Sequence, residues 1–131
     1  MKVYISKSNN CRTDDLIHVR EEIANLGFTV VEHKGGNYDR MLKHRADIMI
    51  VIGHRNSLDV YTLFTIGKGV FDEILDFKGD TFIYDFSLSK KLFLITNDIK
   101  NQALMIGTDW QYNYGEIPLR DTSPVSFSKL K

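Results

Sequence analysis

The sequence predicts one α/β domain, a three-layer α/β/α sandwich around an open, mainly parallel sheet of about five strands. Short β-rich runs alternate with helical stretches over roughly the first eighty residues. One of those runs, Asp47 to Ile52 (DIMIVI), is apolar nearly throughout, as a strand covered on both faces must be. The length of 131 residues suits a single core with no linker.

Lys2 to Ser6 (KVYIS) reads as a first strand that stops at the polar cluster Lys7, Ser8, Asn9, Asn10. Thr13 and Asp14 offer an N-cap, and Leu16, Val19, Ile23 and Leu26 recur with helical period until Gly27 ends the run. Phe28 to Glu32 (FTVVE) follows as a second strand, then a Gly35-Gly36-Asn37 turn and a short helix over Tyr38 to Arg45. Asp47 to Ile52 is the central strand, and Gly53 to Asp59 a polar loop.

From Val60 to Phe77 the residues Val60, Leu63, Phe64, Gly67, Val70, Phe71 and Ile74 trace one apolar face, which predicts a long helix. Each glycine of Gly67-Lys68-Gly69 costs on the order of 1 kcal/mol inside a helix, so Gly67 is expected at a close helix–sheet contact. Phe82 to Tyr84 and Leu92 to Thr96 supply two more strands without a helix between them, so the last can run antiparallel. Ala103 to Ile106 fits a strand or a helical turn, and Trp110, Tyr112 and Tyr114 suit the covering of a sheet edge. Residues 1–115 thus form the domain, of flavodoxin- or Rossmann-like type, and 116–131, with both prolines, an extended tail.

Composition narrows the functional classes. With 17 Lys+Arg against 17 Asp+Glu and no long run of either sign, duplex nucleic acid is a poor partner. Cys11 is the only cysteine, which excludes an intrachain disulfide and suits a reducing compartment. No stretch approaches the roughly 18 apolar residues of a membrane span, and the start MKVYISKSNN lacks the apolar core of a signal peptide, so a cytoplasmic location without membrane partners is expected. His18, His33, His44 and His54 show no metal-ligand spacing; no metal or cofactor is expected, and His18 reads as a surface helix residue.

Ligands of open parallel sheets collect beyond the carboxyl ends of the strands. Ser6, Ser8 and Asn9 lie there, ahead of a helix N-terminus that favours an anion. His54, Arg55 and Asp59 follow the central strand and offer an acid/base pair with an anion clamp.

The order KVYIS, a helix ending at LGF, VVEH, Ala46-Asp47 before IMIVIG, and a following segment T-L-F-T-I-G resembles the nucleoside 2-deoxyribosyltransferase-like superfamily over roughly the first 85 residues. That resemblance implies cleavage or transfer at the N-glycosidic bond of a nucleoside or nucleotide, with a helix-borne glutamate attacking the anomeric carbon. Thr65 stands at that glutamate's place, so Asp59 and Thr65 become the catalytic candidates, with Thr62 beside them. Asp72 and Glu73 lie about 10 Å further along the predicted helix, too far for direct substitution. The order also resembles a TIR-like domain, with Thr62 where that family's acid falls, so a non-catalytic module binding a nucleotide or ADP-ribose-type signal is the alternative. A structural or interaction domain is a third reading. The resemblance further implies a homo-oligomer, and the uncharged outward face of Thr62, Thr65 and Gly69 on the predicted helix agrees with it.

Overall fold

The computed structural model describes residues 1–7, 11–32, 45–53, 63–85, 90–106, 114–119 and 123–131. Its main sheet has the order β2-β1-β3-β5-β6, with β1 at Lys2–Lys7, β2 at Thr29–Glu32, β3 at Ile48–Ile52, β5 at Asp80–Tyr84 and β6 at Leu92–Ile95. The first four are parallel and β6 closes the edge antiparallel to β5. This is the predicted α/β fold. β3 lies between β1 and β5, and all five of its residues are buried, which is why that run carries no polar alternation.

Parallel register fixes the two faces. Tyr4, Met49 and Thr81 align across β1, β3 and β5, as do Ser6, Val51 and Ile83, so these six share one face. Ile5, Ile50 and Phe82 align on the other, where Tyr84 also points. Helix α1 (Thr13–Asn25) covers that second face, burying Leu16, Val19 and Ile23. Its first residue is Thr13, and the N-cap is Arg12 without a side-chain cap bond, so the expected Thr13 or Asp14 cap does not form. Gly27 ends the helix in a left-handed conformation (φ 79°), accessible to glycine without a Cβ clash.

The predicted helix over Val60 to Phe77 is corrected. Leu63–Gly67 is a strand, β4, and among the described residues of that span only Lys68–Asp76 is helical, as α2. Gly67 is the extended N-cap of α2, and a Cβ built there or on Gly69 meets nothing within 4 Å, so neither glycine marks a close packing contact. The close approach is at Gly79 instead, where a Cβ would lie 2.6 Å from the Asp47 carbonyl oxygen. Val70, Phe71 and Ile74 are the buried stripe of α2.

β4 belongs to a second, antiparallel sheet of order β4-β8-β7, with β7 at Leu104–Ile106 and β8 at Tyr114–Pro118. α2 touches β1 of the main sheet and both β4 and β8 of the second. Helix α3 (Asn97–Gln102) packs on β8, its Thr96 hydroxyl accepting from Ile99 N at 3.2 Å. Residues beyond 115 are more than an extended tail. Glu116 to Pro118 complete β8, Val125 bridges Leu92 on the outer edge of β6, and a 3-10 turn at Phe127–Leu130 buries Phe127 and Leu130. Among the described residues, no helix is long and apolar enough to cross a membrane.

Candidate functional site

The strand order reverses at β1, since β2 lies on one side of it and β3 on the other. Such a switch point opens a crevice at the carboxyl ends of the two strands. Lys7 and Ile52 are register partners there, so β1 and β3 end side by side. Ser8, Asn9, His54, Arg55, Asp59 and Thr62, all expected in those segments, lie outside the described residues.

Ser6 is the predicted site residue whose side chain is described, and it is 1 % exposed near the end of β1. Its hydroxyl donates to Glu73 Oε1 at 3.2 Å, across from the sheet to α2. Glu73 Oε2 is buried with no hydrogen-bond partner. Tyr4 shares the Ser6 face, and burial together with the adjacent Glu73 carboxylate holds its phenol well above the usual range. Two hydroxyl side chains of β1 thus flank one carboxylate of which an oxygen is left unengaged. Leaving such an atom buried is costly, so this half-satisfied acid calls for an explanation beyond packing.

Thr65 is corrected. It lies on β4, where its backbone registers with Glu116, and not on the predicted helix. Glu73 is the acid that α2 places against β1 on this face. The estimate that placed Glu73 too far away assumed one continuous helix; with the chain extended through Gly67, α2 runs back over β1 and delivers the acid to Ser6. No sequence motif links Ser6 to Glu73; their pairing shows only once α2 is laid over β1.

A second polar cluster lies on the α1 face. Tyr84 Oη and His18 Nδ1 are 2.7 Å apart, His18 Nε2 is 3.4 Å from Glu22 Oε1, and Phe127 packs edge-on against the His18 ring. His18 is thus a half-buried packing residue rather than a free surface one. Burial, with Asp15, Asp85 and Glu22 adding negative charge, pushes the Tyr84 phenol up to about 12. A folded-state value above the unfolded one means that the folded chain keeps the proton longer, so stability is full below about pH 10 and falls as pH rises toward 12. Alkaline unfolding followed by circular dichroism is expected to show this loss, and Tyr84→Phe to reduce it. Among the described residues, no group of three or more His, Cys, Asp or Glu is placed to hold a metal.

No protein family profile, curated protein or solved structure matches this chain.

Proposed function

We propose that this protein cleaves or transfers the N-glycosidic bond of a nucleoside or nucleotide, with Glu73 as the attacking carboxylate. The observation that carries the reading is Glu73 itself: a helix-borne acid at the switch-point crevice, with Oε1 bound by Ser6 and Oε2 buried and unpartnered. The free oxygen attacks the anomeric carbon as the bond to the base nitrogen breaks, and the base departs with the electron pair and takes up a proton. Water or a second base then displaces the glycosyl ester and restores the carboxylate. Ser6 holds the acid in one rotamer, and the neutral Tyr4 phenol offers a proton donor beside it. Ser8, Asn9, His54, Arg55, Asp59 and Thr62 belong to this reading as groups that bind phosphate, sugar and base from the segments leaving β1 and β3.

Incubation with a panel of nucleosides, their monophosphates and NAD, followed by chromatography for free base, tests it. Release of base from at least one compound is expected. Thermal stabilisation by a nucleotide with no product would move the reading to a binding module, and neither effect with any compound would overturn it.

A further inference from the structure

Helix α2 runs antiparallel to β1 and β3. Glu73, within it, meets Ser6 near the carboxyl end of β1, whereas a Cβ on Gly79, just past its end, would lie 2.6 Å from the carbonyl oxygen of Asp47, the residue before β3. The helix is short, and its own ends do little to fix it. Its N-cap, Gly67, makes no side-chain cap bond, and a Cβ on Gly67 or Gly69 would meet nothing within 4 Å. Its last turn holds no basic residue and ends in Asp76, a charge of the wrong sign for a helix C-terminus. The buried stripe of Val70, Phe71 and Ile74 sets which face turns inward, but apolar burial is non-directional, so the place of Glu73 along the sheet is left to polar ties.

One such tie is the Ser6 hydroxyl on Glu73 Oε1. Another comes from α3, where Lys100 Nζ donates to the Phe77 carbonyl oxygen at 2.9 Å. Phe77 N in turn donates to the Glu73 carbonyl oxygen at 2.9 Å, so the capped residue is bonded directly to the backbone of the acid one turn back. Helix C-termini leave carbonyl groups unpaired and carry negative partial charge; the Lys100 ammonium supplies from another element both the donor and the positive charge that the last turn of α2 lacks. We infer that Lys100 is a positioning residue, which by capping α2 from α3 holds Glu73 in place over β1 beside Ser6. The inference rests on the proposed role of Glu73 as the attacking carboxylate. α3 begins just after β6, whose last residue, Ile95, pairs with Thr81 near the start of β5. Lys100 therefore stands toward the amino ends of the parallel strands, away from the crevice at their carboxyl ends, and acts on turnover rather than on substrate binding.

The test follows the Glu73 carboxyl itself, by carbon NMR of the whole chain labelled at the glutamate side-chain carboxyls, its resonance assigned by its loss in Glu73→Gln. Lys100→Met, which keeps the apolar stem and removes the charge and the donors, is expected to shift that resonance while the circular dichroism spectrum stays that of the wild type. Lys100→Arg should return it to the wild-type position. With the nucleoside or nucleotide that releases base fastest, Lys100→Met should lower kcat at least about ten-fold and leave KM within about two-fold, since misplacing a reacting group by about 1 Å costs on the order of 10²-fold. Lys100→Arg should restore most of that loss. Should Lys100→Met not fold, Lys100→Gln, neutral and polar, takes its place with the same expectations. A Glu73 resonance that is unmoved in the neutral variant, or moved as far in Lys100→Arg, overturns the positioning role whether or not base is released. A resonance that follows the charge at position 100 in a protein that releases no base supports the positioning of Glu73 and overturns only its catalytic reading.

Discussion

Glu73→Gln is expected to lower base release by at least about 10³-fold while leaving the chain folded. The substitution keeps the shape of the side chain and an oxygen that can accept from Ser6, so the Ser6 contact to α2 survives. What it removes is the negative charge and the second carboxylate oxygen, which is buried without a hydrogen-bond partner. Replacing an acid held half-satisfied in the interior relieves a desolvation cost, so the thermal midpoint should hold or rise. An inactive variant at least as stable as the parent is the signature of a group kept for chemistry. A fall in stability with unchanged turnover would assign Glu73 to structure alone.

Ile50→Ala is expected to cost about 2–5 kcal/mol, the largest stability loss among conservative truncations of the sheet. Ile50 is 0 % exposed at the middle of β3, aligned between Ile5 and Phe82 on the face covered by α1. Both neighbouring strands are held by backbone pairing, so they cannot close over the missing atoms, and the cavity persists. Against a total stability of order 5–15 kcal/mol this is a large fraction. Equilibrium urea unfolding should show a lower midpoint with an unchanged slope, and Ile50→Val a shift of about 0.5–1.5 kcal/mol. An unaltered midpoint for Ile50→Ala would show that β3 is not the packed centre of the domain.

The parallel sheet was legible because each of its strands is a local apolar run and each connection a local pattern. DIMIVI reads as buried on both faces without knowledge of its neighbours, and Gly27 marks the end of α1 by its own conformational freedom. The second sheet was not legible for the opposite reason. Leu63–Gly67 pairs with Tyr114–Pro118, far along the chain, and a window around β4 contains nothing of its partner. Its apolar spacing imitates a helical stripe that continues into α2, although Phe64, Thr65 and Ile66 are strand-forming types. The error then propagated to the site. Treating 60–77 as one helix put Thr65 on a helix and set Glu73 aside by distance, whereas the placement of Ser6 at the end of β1 depended on that strand alone. Helix α3 was missed because six residues are too few for a periodicity signal, and its start shows only through the Thr96 cap.

A covalent sugar on Glu73 is the most direct observable of the proposed chemistry. The nucleoside or nucleotide that releases base fastest is mixed with the protein, quenched in acid within seconds and digested for peptide mass spectrometry. The peptide containing Glu73 should carry the mass of one glycosyl group as an ester, absent when Glu73→Gln is treated in the same way. Base release that continues undiminished in Glu73→Gln, with no mass added to that peptide in the wild type, would contradict the assignment.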